Sequence, residues 1–196
     1  FDSLDAAIES VLPILKTGPS AVKLLDDTVI DLAKANTEYR RYVDLMPMPP
    51  HGELKAVLYV EYYGQTPEDV RGKFDELRRL IPRASMHAHS DATSIANAWK
   101  LRKAGEPLLH GIPGNRKPIT FVEDNAVPVE HLEEFVRRFR EIVTRHGTRA
   151  AYWAHASVGV LHVRPLIDIH DPADRERMQQ IAVEVADLAK SLGGVM

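Results

Sequence analysis

The chain is predicted to be α+β: a ferredoxin-like antiparallel sheet with helices packed mainly on one face, preceded by an N-terminal helical segment. Three observations carry this prediction. Strand-patterned and helix-patterned segments alternate in a β-α-β, β-α-β order that closes on a hairpin near residues 150–167. No G-x-G-x-x-G or other glycine-rich phosphate loop joins a strand to a helix, which argues against a doubly wound nucleotide fold. The first third of the chain carries its apolar residues at helical spacing.

In chain order, residues 1–46 form the helical segment. Leu4, Ile8, Val11, Leu12 and Leu15 recur at helical spacing, Gly18-Pro19 breaks it, and Val22, Leu25, Val29, Leu32 and Ala33 resume it. Residues 47–53, within Met46-Pro-Met-Pro-Pro-His-Gly52, read as a proline-rich linker. Residues 54–196 then form the α+β domain. Leu54 to Tyr63 is β-branched and aromatic, a strand. Thr66-Pro67-Glu68-Asp69 offers an N-cap, a proline at the first helical position and an acidic third residue, ahead of a Val70, Phe74, Leu77, Ile81 stripe. A short strand is expected over Ala84–His89, a helix from Ser90-Asp91 through Trp99 and Arg102, and a loop from Gly105 to Lys117. Ile119–Val127 is the third strand, and Pro128 opens a helix bearing Leu132, Phe135, Val136, Phe139, Ile142 and Val143 that ends at His146-Gly147. After the hairpin, Asp171-Pro172 caps a last helix running to Gly193-Gly194.

Composition sets bounds on function. A formal net charge of −3 gives no electrostatic reason to expect nucleic acid or an anionic membrane as partner. The absence of cysteine excludes disulfides, thiolate metal ligands and cysteine-held iron–sulfur clusters within this chain, and fits a reducing, cytoplasmic setting. No apolar run reaches bilayer length. The start at Phe1 rather than a methionine reads as a piece of a longer protein.

The hairpin carries the chemistry. In His155-Ala-Ser-Val-Gly-Val-Leu-His162-Val-Arg164-Pro, a symmetric turn about Val158-Gly159 would pair His155 with His162 and Trp153 with Arg164. Side chains alternate along a strand, so these four would share one face, with the imidazoles close enough to grip one ion. Tyr152, Ala154, Ala156, Leu161 and Val163 would face a core. Spacing alone favours two surface histidines, because a metal site needs at least three ligands. His87 and His89 share a strand face without a carboxylate to complete a set, and Glu123 and Asp124 would face opposite sides of their strand.

Three segments together resemble one family. Trp99-Lys-Leu-Arg-Lys103 ends a helix, Phe121-Val-Glu-Asp-Asn-Ala-Val-Pro128 leads a strand into a helix, and the hairpin with Leu-His-Val-Arg-Pro follows. In that order and spacing they look like the C-terminal substrate domain of FAD-linked oxidases of the D-lactate dehydrogenase and glycolate oxidase type, within the vanillyl-alcohol oxidase superfamily. Leu-His-Val-Arg-Pro resembles the long members with a downstream iron–sulfur domain. The resemblance implies a fragment of an FAD-dependent dehydrogenase or oxidase of D-2-hydroxy acids (D-lactate or glycolate-like), whose hydride passes to flavin. It implies FAD held mainly by a separate preceding domain, and any iron–sulfur cluster only in a downstream one. It implies a divalent metal such as zinc or manganese on His155 and His162, and substrate-carboxylate binding by Arg102 and Arg164. The family's third ligand, a glutamate, and its histidine base follow a double glycine; here Gly193-Gly194 is present and the chain stops at Met196. No catalytic base is therefore expected within this chain, which reads as truncated at its C-terminal end and inactive alone. Relatives acting on dicarboxylates carry a lysine where Val122 stands, which counts against a hydroxyglutarate-type preference. The implied partners are a small 2-hydroxy acid and the FAD-binding domain of the same parent chain, with a homo-oligomer open and membrane association only through electron-transfer partners.

Two alternatives stand beside this reading. One is a non-catalytic ferredoxin-like module that binds a ligand or dimerises. The other is a metal hydrolase built on the same histidines, which needs Glu123 or Asp168 within reach of both imidazoles. The plain reading of Arg102 is a helix-end residue complementing the dipole beside Lys100 and Lys103, and that of Arg164 is a structural pair with Asp168 or another carboxylate.

Overall fold

The computed structural model describes residues 1–196, and its element order explains the helical reading of the first third only in part. Two short helices, α1 (Leu4–Glu9) and α2 (Val11–Leu15), follow the expected stripe, with Ala7, Ile8, Val11 and Ile14 buried. The resumed stripe does not stay helical: Ala21–Asp26 is strand β1, and only Asp27–Ala35 is helix α3. The physical reason is burial on both faces. Val22 and Leu24 enter one core and Leu25 another, so the segment shows an almost continuous apolar run whose spacing coincides with a helical one. Asp26 makes the switch, ending β1 and accepting the Val29 N–H at 3.3 Å as N-cap of α3.

A short helix α4 (Arg40–Val43) precedes strand β2 (Ala56–Glu61) and helix α5 (Pro67–Leu80), whose capping box is formed by Thr66 and Asp69 as its sequence predicts. Residues 85–90 form no strand, and helix α6 (Ala92–Leu109) extends into the first five residues of the segment expected to be a loop. Gly105, expected to break the helix, instead lets it approach β1 and α3: a Cβ there would stand 3.5 Å from Val29 and 3.6 Å from Leu25. The strand expected over Ile119–Val127 shrinks to β4 (Asn125–Ala126), and a second short strand, β3 (Lys117–Pro118), forms just ahead of it. Helix α7 (Leu132–Arg145), strands β5 (Ala150–His155) and β6 (Val160–Ile167) and helix α8 (Pro172–Ser191) complete the chain close to expectation.

The strands form one antiparallel sheet in the order β2-β1-β5-β6-β3, with β4 also on β6. Strand β1 lies between β2 and β5, so the first 46 residues and the later ones share one sheet. The fold is α+β, as predicted. The larger core lies on the face covered by α1, α2, α5, α7 and α8, where Phe135, Phe139, Tyr152, Leu161 and Ile181 meet. A smaller layer of α3, α4 and α6 covers part of the opposite face through Leu25, Val29, Leu101, Leu109 and Trp153. What that second layer leaves uncovered is the polar face described below.

Two buried carboxylates hold the layers in register. Asp174, in the first turn of α8, accepts Arg116 Nε and Nη2 at 2.8 Å each and the Asp168 N–H at 2.8 Å, and also pairs with Arg177. It thereby fastens the end of β6 to α8. Asp26 accepts the Tyr152 N–H at 2.7 Å, which ties β5 to the β1–α3 corner. Burial pushes the Asp26 carboxyl up to about 7, against its backbone hydrogen bonds, which favour the charged form.

Replacing Asp174 with Ala leaves Arg177 and Arg116 without their buried partner and is expected to cost about 3 kcal/mol, read as the shift in urea unfolding. For Asp26 the folded pKa lies above the unfolded one, so the folded state holds this proton more tightly. Its contribution is complete below the unfolded value of 3.8 and is lost as pH rises through about 7. Urea denaturation across that window is expected to show stability falling with pH in the unaltered chain, by up to about 4 kcal/mol, and a flatter profile in Asp26→Asn.

Candidate active site

The β5–β6 hairpin turns through Ala156–Val158 and a left-handed Gly159 rather than symmetrically about Val158-Gly159. Glycine is required there, because a Cβ would lie 1.9 Å from the Val127 carbonyl oxygen. The centre moves by one residue and each partner by two, so Trp153 pairs with His162, His155 with Val160, and Ala151 with Arg164. The expected His155–His162 and Trp153–Arg164 pairings are therefore corrected. The shared face survives, because a slip of two residues keeps every side chain on its own side. His155 and His162 become diagonal neighbours, with ring centroids 5.3 Å apart and planes at 72°. Tyr152, Ala154, Ala156, Leu161 and Val163 enter the large core as predicted.

Arg164 is buried and already engaged. Its Nε donates to Glu123 Oε1 at 2.5 Å, its Nη2 to Glu123 Oε2 at 3.3 Å and to Glu106 Oε1 at 2.9 Å. Its guanidinium carbon also stands 4.8 Å over the Trp153 ring, which stacks on His162 with centroids 5.6 Å apart. Burial alone would lower the Arg164 pKa, but the Glu123 and Glu106 hydrogen bonds outweigh it and raise it. Arg164 thus has the carboxylate pairing that its plain reading required, with Glu123 and Glu106 in place of Asp168.

Glu123 and Asp124 do not face opposite sides. Asp124 has φ 57°, alone among the non-glycine residues in being left-handed, and the segment is too short a strand for alternation to apply. Glu123 turns to Arg164, and Asp124 Oδ1 lies 2.8 Å from His162 Nδ1. Buried Asn125 holds the turn by donating to the Val122 carbonyl at 2.5 Å and by pairing across to Leu161.

The other end of the face is cationic. Across the sheet, Tyr59 on β2, Lys23 on β1 and His155 on β5 lie in one register row. Lys23 Nζ donates to His155 Nδ1. Desolvation, then the Lys23 charge, lowers the His155 pKa. The Lys23 pKa is lowered by desolvation and then by Arg102. Arg102 lies inside α6, not at a helix end, and its Nε is buried without a hydrogen-bond partner. Desolvation lowers its pKa, with only the Tyr59 hydroxyl acting the other way. Tyr59 itself is raised by burial and stacks against Trp99, centroids 6.1 Å apart.

The structure therefore brings together His155, His162, Arg102 and Arg164, and adds Lys23, Tyr59, Glu106, Glu123 and Asp124. Of the additions, Glu123 and Asp124 were singled out by the sequence in other roles, and Lys23 carried a signal as a lone cation inside the apolar run Ala21–Leu25; Tyr59 and Glu106 carried none. The metal reading finds two donors but not a set, since no three His, Cys, Asp or Glu side chains are placed to hold an ion. The Lys23 ammonium on His155 Nδ1 further opposes a cation there. The hydrolase alternative needs such a third donor and loses its basis, because Glu123 is spent on Arg164. His87 and His89 stack in parallel, 4.6 Å apart at 5°, an arrangement that does not converge two nitrogens on one ion. No glycine-rich phosphate loop stands among these residues.

A family model described as FAD linked oxidases, C-terminal domain, matches residues 1–196. The chain is 30% identical over 205 residues to a D-2-hydroxyglutarate dehydrogenase of Haemophilus influenzae, covering 100% of this chain and 20% of that protein. Its likeness to the D-2-hydroxyglutarate dehydrogenase of Escherichia coli is 28% over the same coverage. With the glycolate oxidase subunit GlcD of Bacillus subtilis it shares 24% identity, covering 100% of this chain and 40% of that protein. The chain thus spans only about a fifth of the length of the first of these relatives. Among solved structures, 4-ethylphenol oxidase from Gulosibacter chungangensis in complex with isoeugenol superposes with a TM-score of 0.56 at 16% identity, over 97% of this chain and 42% of that one. That last likeness concerns the fold alone.

Zinc or manganese titrated into this chain is expected to show no tight stoichiometric site in calorimetry. A tight site lost in His162→Ala would restore the two-histidine metal reading.

Proposed function

This chain belongs to the family of FAD linked oxidases, C-terminal domain, and from that premise we propose that it forms the substrate side of a flavin-dependent dehydrogenase or oxidase acting on a 2-hydroxy acid. The observation that carries the reading is the unpartnered Arg102 guanidinium beside two imidazoles on one partly open sheet face. A buried cation without a counter-charge is costly unless a ligand supplies one. A guanidinium fork matches a carboxylate with two parallel hydrogen bonds.

In this reading Arg102 anchors the carboxylate and so fixes the orientation of C2. The hydroxyl then lies against the His155–His162 pair, with His162 flanked by Asp124. Trp153, held between Arg164 and His162, forms the apolar wall that keeps the imidazole in place. Arg164, neutralised by Glu123 and Glu106, positions this wall rather than binding substrate. FAD, when bound by the parent protein, supplies the hydride acceptor. The relatives' names span D-2-hydroxyglutarate and glycolate, and D-lactate or glycolate-like acids are the substrates proposed for this chain. Val122, which stands where the resemblance sets a lysine in relatives acting on dicarboxylates, is fully buried in the large core, and a valine there offers no charge to a second carboxylate. A non-catalytic binding module would not need the two imidazoles beside the cation.

The test uses the flavin-loaded full-length protein with D-lactate, glycolate or D-2-hydroxyglutarate and a dye acceptor. Arg102→Ala is expected to lower kcat/KM by on the order of 100-fold, mostly through KM, and His162→Ala is expected to lower kcat. Turnover unchanged in both variants would sink the assignment.

A further inference from the structure

We propose that Lys23 is a second carboxylate anchor, forming with Arg102 a two-cation anion subsite at the His155 end of the pocket. Lys23 occurs on a strand otherwise given to the core: Val22 and Leu24 on one side of it are fully buried, and so is Leu25. An ammonium in such a strand needs a purpose or a partner. Register rather than chance sets its position, directly between Tyr59 and His155 in adjacent strands about 4.8 Å apart. Its one hydrogen bond is to His155 Nδ1, which uses one of three ammonium protons and supplies no negative charge.

Arg102 comes from the covering helix one turn beyond Trp99, which stacks on Tyr59 beside Lys23; its charge acts on both Lys23 and His155, and its Nε is buried and unsatisfied. Three acidic groups of the face are engaged elsewhere, Glu106 and Glu123 with Arg164 and Asp124 with His162; Glu61, two residues along β2 from Tyr59, acts on Lys23 less than desolvation and Arg102 do and forms no ion pair with it. The pocket is therefore polarised, with free positive charge beside His155 and negative charge beside His162. A carboxylate bridging Lys23 and Arg102 would supply the missing counter-charge and could enter in one direction only. The guanidinium would take it through its fork and the ammonium through a single point contact. Only the identity of that carboxylate, a 2-hydroxy acid, rests on the reading above; the anion subsite rests on the unpaired cations.

The experiment titrates D-lactate, and its neutral amide as control, into this chain while nuclear magnetic resonance follows the Arg102 Nε–H and the His155 ring. Saturable binding of D-lactate but not of the amide is expected. Lys23→Met, which keeps the apolar stem in the strand, is expected to weaken binding by on the order of tenfold or more, and Lys23→Arg to restore most of it. Equal binding by Lys23→Met, equal binding of the amide, or no saturable binding by the unaltered chain would each overturn the subsite. In the flavin-loaded protein, Lys23→Met is expected to raise KM more than it lowers kcat. If that protein oxidises no 2-hydroxy acid while the chain still binds D-lactate through Lys23, the activity falls and the anion subsite stands.

Discussion

Because strand side chains alternate faces, the β5–β6 hairpin divides its residues irrevocably into two sets, and both the core and the site depend on that division. Tyr152, Ala154, Leu161 and Val163 go to the large core, while Trp153, His155, His162 and Arg164 go to the opposite face. A slip of one residue would bury two imidazoles and a guanidinium among Phe139 and Ile181 and expose the core set to water. That is a conflict of many kcal/mol in desolvation alone. Gly159, pressed against the Val127 carbonyl, and Asp174, fastening the end of β6 to α8, hold the hairpin from its two ends.

On the polar face, charge is arranged so that the middle is left to the imidazoles. Arg164 is the most buried cation of the face and the best compensated, with two carboxylates and an aromatic ring around its guanidinium. Its work is to hold Glu123, and with it the strained turn that carries Asp124 to His162. Lys23 and Arg102 are the converse: half-buried, acting on one another and in no ion pair with a carboxylate. The same residue type is therefore charge-paired at position 164 and left unpaired at position 102. What separates the two positions is whether the protein itself supplies the counter-charge.

The chain spans about a fifth of the length of one relative it matches and two fifths of another, and its polar face is one-sided. Its floor is the sheet and one wall is α6, with Trp99 stacked on Tyr59. Imidazoles, cations and a hydroxyl-bearing ring line the floor, yet no phosphate cradle accompanies them.

The sequence by itself determined the α+β class, the capping box of α5, the amphipathic α7 and the one-face grouping of Trp153, His155, His162 and Arg164. These depend on local periodicity and cap chemistry, which survive any register shift of two. It misassigned β1, because a strand buried on both faces has no alternation to display. It also broke α6 at Gly105, where the glycine serves close packing. Only the tertiary structure decided that Arg164 is consumed by Glu123 and Glu106, that Lys23 meets Arg102 beside His155, and that no third metal donor arrives. Those facts depend on which distant charges end up within a few ångströms of one another. Strand order and helix docking set such distances, and local spacing carries no record of them.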